Sequence, residues 1–239
     1  MGQYYRIALK AKTNKSFNYL DRTIDNEYTL AKLMEHSWLS NHMVEAVCKK
    51  IYNNPTQVAW IGDYADDQSL TLVNQSNPLI SSYKEVVENA WHIDDDDNKP
   101  NYFKNRGLIS DPNFKLSEMS LVNHDKKLVL FGSSYFTTIY NQQDSVFWEK
   151  YEASKTQKDK DSLLRAFHWE VGFVPHPLPL LTAVGNGLGG GDYHGINEEK
   201  VGSWAFDLLE VVDNQKALEL LTKKHYKTYD IIFSEMIKN

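Results

Sequence analysis

The stretch QVAWIGDYADD, residues 57–67, joins a short, strongly apolar run to a glycine and three acids. An apolar run of about five residues bounded by turn residues is typical of a buried β-strand. We therefore predict a strand over QVAWI, with Trp60 buried in a central sheet. Asp63 then follows the predicted strand in sequence after Gly62, and functional sites are commonly formed by loops at the ends of such elements.

The segment before this strand predicts a hairpin and a helix. YYRIALKA alternates apolar and polar residues, and the turn KTNKS and the extended FNYLDRTI follow it, which together indicate a β-hairpin. Apolar residues recur at helical spacing over 30–51, and Pro55 ends this helical region because it disfavours a helical conformation at Asn54. Cys48 falls on the apolar face of that helix, so we expect it in the core.

The segments after this strand predict further elements of both kinds. LISSYKEVVENAWHI and the region 144–169 are helical in character, and LSEMSLVNHDKKLVLFGSSYFTTI indicates two strands joined by a turn at 125–127. VGSWAFDLLEVV predicts a strand and NQKALELLTKK a helix. Without repeats or a clear linker, residues 1–239 predict a single α+β domain, with a mixed or antiparallel sheet and two or three long helices.

Composition narrows the classes of function. Apolar residues make up 41% of the 239 residues, which suits a folded globular protein. A net charge of −6 gives no strong attraction to nucleic acid or anionic lipid. The single cysteine excludes an internal disulfide and a Cys-rich zinc site, and no apolar run approaches the roughly 18 residues that span a bilayer. We expect a cytoplasmic protein with neither a membrane nor a nucleic-acid partner.

Residues 185–195, GNGLGGGDYHG, carry half of the chain's 12 glycines. Three consecutive glycines let a chain pass close to a neighbouring backbone, but ordering them is entropically costly, which favours a loop that faces a ligand. Phosphate or nucleotide ligands suit a loop with many available N–H groups. A dinucleotide fold is not indicated, because Pro177 and Pro179 precede the glycines and no helix-like run follows them.

Acids and imidazoles near the ends of predicted elements form the candidate site. The catalytic candidates are His194, Asp192, His176, His36 and Asp63, and the ligand-binding candidates are Gly187, Gly189, Gly190, Gly191, Glu35 and His124. His194 is the first choice for proton transfer because an imidazole titrates near neutral pH, and Asp192 or His176 would orient it or share a metal. We expect the segments carrying the five catalytic candidates to converge on one cleft.

Each candidate also has a structural explanation, and no metal is identified by the pattern. His36 suits capping or packing, Asp63 and His124 suit turns, and Asp192 suits hydrogen bonding within the glycine loop. GDYADD lacks the upstream Asp-x-His and the downstream Gly-Asn-His that a two-metal phosphoesterase needs. A divalent metal therefore stays open as an unidentified cofactor.

Six blocks of sequence, MGQYY, KLMEHSW, NPTQVAWIGDYADD, LVNH, HPLPLLTAVGNGLGGGDYHG and VGSWAFDLL, extend from residue 1 to residue 209. In this order they resemble a family of hypothetical proteins of bacteriophages, prophages and gut Firmicutes. The family has no established activity, so the resemblance implies a setting, the bacterial cytoplasm, and a phage-borne protein. Phe206 departs from the family pattern, where we expect a second tryptophan.

The sequence supports three hypotheses of function. The first is an enzyme or binding protein that uses the His/Asp cluster and the glycine loop to bind or hydrolyse a small phosphate-containing, nucleotide-like ligand. The second is a phage anti-defence inhibitor or decoy that binds a host defence protein without catalysis, which the acidic balance suits. The third is a structural phage protein with no site.

Overall fold

Strand β5 (Thr56–Gly62) is the predicted apolar strand and lies inside a nine-stranded sheet. The computed structural model describes residues 3–20, 23–24, 27–28, 42–65, 83–91, 102–103, 118–132, 153–156, 159, 176–185 and 200–230. The other strands are β1 (Tyr5–Ala11), β2 (Asn18–Leu20), β3 (Thr23–Ile24), β4 (Glu27–Tyr28), β6 (Tyr102–Phe103), β7 (Met119–Asn123), β8 (Leu128–Phe131), β9 (Ala183–Val184), β10 (Leu208–Asp213) and β11 (Lys227–Thr228). The helices are α1 (His42–Lys50), α2 (Lys84–Trp91), α3 (Pro177–Leu181) and α4 (Asn214–Lys224).

The sheet has the order β11-β8-β7-β10-β5-β1-β2-β6, and β9 pairs with β5 outside this path. The pairs β11–β8, β2–β6 and β5–β9 are parallel, and the remaining pairs of this sheet are antiparallel. Strands β3 and β4 form a separate antiparallel pair. The mixed sheet with its helices confirms the predicted α+β class, and the β1–β2 pair confirms the predicted hairpin.

The two edges of β5 have different neighbours. Strand β1 pairs with β5 along its whole length, from Tyr5 opposite Gly62 to Ala11 opposite Thr56. Since a strand has two edges, β10 and β9 share the other one. Strand β10 pairs with the beginning of β5, and β9 pairs near its end. The end of β5 therefore lies between β1 and β9.

Apolar side chains bury both faces of the sheet. On one face, Val58 and Trp60 pack in a cluster with residues of α1 and α3, and on the other Ala59 and Ile61 pack with residues of α2. Trp60 and Cys48 are fully buried, which confirms both predictions. Helix α4 packs against β7, β8 and β10 in a third cluster.

The stretch HPLPLL forms a short helix, which the sequence did not indicate. His176 is the N-cap residue of α3, and Pro177 occupies the first turn. Proline is tolerated there because the first N–H groups of a helix have no partner within it. The prolines thus exclude a strand, as expected, but they begin a helix that leads directly into β9.

The strand predicted over VGSWAFDLLEVV is wrong in its first half, because β10 begins only at Leu208. Residues 201–207 form turns, and Gly202 and Phe206 have positive φ angles of 70° and 64°. Their backbone groups bond outside any ladder: Gly202 N donates to Leu180 O, and Phe206 N donates to Val58 O. These contacts with α3 and β5 outweigh the local preference for extended structure.

The helices in the described part of the chain are short. None of them is long and apolar enough to cross a membrane. The longest is α4, with 11 residues. Of the region 144–169, predicted as helical, only residues 153–156 and 159 belong to the described part.

Candidate functional site

The ends of β5 and β9 bring Gly62, the residue before Asp63, next to the first residue of the glycine-rich segment. Ile61 pairs with Val184 in parallel register, so the two chains leave the sheet side by side, as Gly62–Asp63 and as Gly185. The residues at this end of the strands are called the β5–β9 edge, and they are Gln3, Tyr4, Gly62, Asp63, Tyr64 and Gly185.

Strand β1 contributes the third chain of this edge. Tyr5 lies opposite Gly62, so Tyr4 lies opposite Asp63. Asp63 N donates to Tyr4 O at 2.8 Å, and Tyr4 N donates to Asp63 Oδ1 at 3.1 Å. The carboxylate of Asp63 is therefore held by the backbone of the neighbouring chain.

The Gln3 side chain fills the space between these chain ends. It is fully buried, and its Oε1 accepts a hydrogen bond from the Tyr5 hydroxyl at 3.1 Å. A Cβ atom at Gly62 would come within 3.0 Å of Gln3 atoms, and one at Gly185 would come within 3.0 Å of Gln3 and the Tyr5 hydroxyl. Close packing against the Gln3 side chain therefore favours glycine at both positions, so Gly185 has a structural reason independent of any ligand.

The outer surface of the β5–β9 edge carries two tyrosines. Tyr4 is 43% exposed and Tyr64 is 39% exposed, and in the described part of the chain the other exposed large apolar residue is Leu218 on α4. A hydrogen bond from Ala65 N to Gly62 O closes the turn that contains Asp63 and Tyr64. Within the described residues, the second carboxylate oxygen of Asp63, Oδ2, accepts no hydrogen bond.

His176 lies in the core instead of on this surface. It is 2% exposed, its Nδ1 accepts from Leu178 N at 3.2 Å, and its Nε2 lies 3.7 Å from Cys48 Sγ. Burial lowers the pKa of His176 to about 3. Burial, followed by the charge of Glu45, raises the pKa of the Cys48 thiol. The pair is therefore neutral near pH 7, unlike the thiolate of a cysteine nucleophile.

His124 belongs to a polar network at the junction of β7, β10 and the chain after α4. Its Nε2 lies 2.9 Å from Glu210 Oε2, and its Nδ1 lies 2.9 Å from the Tyr226 hydroxyl. Lys216 Nζ donates to Glu210 Oε1 at 2.8 Å. Burial alone would raise the pKa of Glu210, but the hydrogen bonds from His124 and Lys216 lower it overall. The network ties α4 and the chain beyond it to the sheet.

A second buried acid lies beside this network. Asp207 Oδ2 accepts from Asn123 Nδ2 at 2.7 Å and forms a short ion pair with Lys126 Nζ. Burial raises the pKa of Asp207, and the hydrogen bonds from Lys126 and Asn123 offset only part of that rise. Sequence reasoning missed both Asp207 and Glu210. The sequence feature that could have identified them is the presence of two acids inside the otherwise apolar run FDLLEVV.

The three described candidates, Asp63, His124 and His176, do not lie at one site. His124 N bonds to Leu208 O, and Leu208 lies opposite Gln57 near the beginning of β5. Asp63 follows the last residue of β5. At roughly 3.3 Å per residue of extended strand, Asp63 lies about 20 Å along the chain from Gln57. His124 therefore lies far from the β5–β9 edge, and its predicted role in ligand binding stays a prediction, as does the role of His176 in orienting His194 or sharing a metal.

The remaining candidates fall outside the described residues, and their roles stay predictions. They are Glu35, His36, Gly187, Gly189, Gly190, Gly191, Asp192 and His194. The predicted convergence of the catalytic candidates is likewise a prediction for these residues. Within the described part of the chain, no group of three His, Cys, Asp or Glu side chains is arranged to hold a metal ion.

Comparison of the chain with models of protein families, with curated proteins and with solved structures finds no match. The β5–β9 edge is where one described candidate, Asp63, lies near Gly185, the first residue of the glycine-rich segment.

Proposed function

We propose that this protein binds a small phosphate-containing, nucleotide-like ligand at the β5–β9 edge. The observation that carries the proposal is the parallel register of β5 and β9, which sets Gly62, the residue before Asp63, beside Gly185. From Gly185 the sequence continues into the glycine-rich segment, whose N–H groups would bind phosphate oxygens. Asp63 would accept a hydrogen bond from a hydroxyl or amino group of the ligand through Oδ2.

Hydrolysis of such a ligand would need a proton acceptor near the phosphate. His194 and Asp192 follow the three consecutive glycines in sequence, and they are the residues we propose for proton transfer and for orienting the imidazole. The phage setting implied by the family resemblance remains part of this proposal.

Thermal unfolding of the full chain with inorganic phosphate, pyrophosphate and a panel of nucleotides, each with and without Mg²⁺, tests the proposal. A ligand at about 100 times its Kd stabilises the native state by about 2.7 kcal/mol. Asp63→Asn keeps Oδ1 as the acceptor for Tyr4 N and removes the charge, and Gly190→Ala alters the glycine segment. We expect both variants to fold and to lose most of the stabilisation by the ligand.

Glu219→Gln is the matched control for the loss of one carboxylate. Glu219 lies on α4, its side chain is 53% exposed, and it pairs with Lys223 at 3.5 Å. This variant should respond to ligands as the parent does. A panel without any stabilising ligand, or unchanged binding by both Asp63→Asn and Gly190→Ala, would contradict the proposal.

Tyr4 and Tyr64 favour a second candidate function, binding to a host defence protein without catalysis. Exposed tyrosines are enriched at protein interfaces because they combine apolar area with a polar tip. The same thermal panel separates the two functions. An inhibitor would give no response to small ligands.

A further inference from the structure

We propose that the β5–β9 edge binds the nucleoside part of the ligand, with the aromatic base stacked on Tyr4 and Tyr64 and with Asp63 bonded to an amino or hydroxyl group. This inference rests on the proposed function and names the part of the ligand that the described residues recognise. The phosphate would then lie on the side of the glycine-rich segment.

The charges of the edge favour this orientation. Among the described residues of the β5–β9 edge there is one acid, Asp63, and no lysine or arginine. Arg6 lies opposite Ile61 inside the sheet, where it is 2% exposed and donates from Nη1 to Ala90 O at 2.7 Å. Because a carboxylate repels phosphate oxygens, the side chains at this edge suit an uncharged group that donates hydrogen bonds.

The positions of the two tyrosines suit an aromatic ring. Tyr4 lies directly opposite Asp63 and Tyr64 follows it, so both side chains begin within about 6 Å of the Asp63 Cα atom. Tyr4 and Tyr64 are each more than one-third exposed, although large apolar residues at the sheet are otherwise mostly buried. Stacking on aromatic side chains accepts any base, because every base has a π-face.

The backbone beneath the tyrosines is already fixed without a ligand. Tyr4 exchanges two hydrogen bonds with Asp63, and the turn closed by Ala65 N and Gly62 O holds Tyr64. The buried Gln3 side chain supports the chain on the inner side. Binding would therefore order few additional groups, which favours affinity.

Titration calorimetry with adenosine, cytidine, their 5′-monophosphates and pyrophosphate tests the inference on the full chain. We expect both nucleosides to bind without a phosphate. Tyr4→Ala and Tyr64→Ala should each weaken nucleoside and nucleotide binding about 10-fold, within the range measured for removal of a stacking ring. Both should leave pyrophosphate binding unchanged, and Tyr4→Phe, which keeps the ring, should bind as the parent does.

Leu218→Ala is the matched control, because it removes an exposed apolar side chain from α4, and Leu218 is 54% exposed. Its affinities should equal those of the parent. If pyrophosphate binds and the nucleosides do not, the inference fails and the proposed function stands. If nucleosides bind equally well to Tyr4→Ala and Tyr64→Ala, the inference also fails. If nothing in this series binds and no ligand of the thermal panel stabilises the protein, the proposed function fails as well.

Discussion

His176 is a candidate residue whose side chain is buried in the core, where it serves as a capping and packing group. Histidine attracts attention as a proton carrier because its ordinary pKa lies close to neutrality. Here one ring nitrogen caps α3 and the other contacts Cys48, and the side chain is out of reach of solvent. The neutral imidazole is the form that these contacts require. The consequence is a dependence of stability on pH.

We expect His176 to make the protein less stable as the pH falls below about 6.5. The pKa of His176 is 6.5 in the unfolded chain and about 3 in the folded protein. Below pH 6.5 the unfolded chain therefore binds a proton that the native state does not bind. The contribution of His176 to the free energy of unfolding is fully present above pH 6.5. It shrinks by about 1.4 kcal/mol per pH unit below pH 6.5, until the pH reaches the pKa of His176 in the folded protein. Denaturant unfolding at pH 7.5 and pH 5 measures this loss.

His176→Asn isolates the contribution of the imidazole. Asparagine is a good N-cap residue and places an acceptor at the same side-chain position, so α3 keeps its cap. The variant should be less stable than the parent at pH 7.5, and this difference should shrink by about 2 kcal/mol at pH 5. A difference between the two proteins that does not change with pH would show that His176 is not buried in its neutral form.

Strands β1, β5 and β9 meet where packing, and not backbone conformation, demands glycine. Neither Gly62 nor Gly185 has a positive φ angle, and the Gln3 side chain occupies the place of a Cβ atom at both. The junction of the three elements therefore depends on a side chain contributed by a distant part of the sequence.

We predict that Gly62→Ala destabilises the protein by about 1–3 kcal/mol, the usual range for overpacking a filled core. The same change in a Gln3→Ala background should cost at least about 1 kcal/mol less, because the clashing side chain is gone and the two sites are in contact. A double-mutant cycle from urea unfolding measures the coupling. Additive effects of the two substitutions would mean that Gln3 does not fill this space.

One continuous sheet joins the two regions that carry polar networks. It runs from β11, near His124 and Glu210, through β5 to β6, so its nine strands share one hydrogen-bonded framework. We predict that residues 1–239 unfold as a single cooperative domain. Trp60 and Trp204 are buried, and their fluorescence should change in the same denaturant transition as the far-ultraviolet circular dichroism. Two separated transitions would indicate two domains.

The elements that could be predicted from the sequence are those with a local signal. The β1–β2 hairpin, the apolar strand β5, the turn between β7 and β8, and α4 each follow from periodicity or turn residues within a short window. The burial of Trp60 and Cys48 follows in the same way, because an apolar side chain on the apolar face of an element goes to the core. The α+β class is the sum of these local assignments.

The arrangement around the candidate site depends on contacts between residues far apart in sequence. The pairing of β9 with β5, which sets Gly185 beside Gly62, the residue before Asp63, joins segments more than 100 residues apart. No local pattern shows that His176 lies against Cys48, or that the buried acids Asp207 and Glu210 pair with Lys126 and Lys216. The sequence by itself determined which residues could act as acids and bases and where glycines concentrate. Only the tertiary structure decided which of the described candidates reach the surface and which are buried as packing and capping groups, because burial and proximity are set by long-range packing.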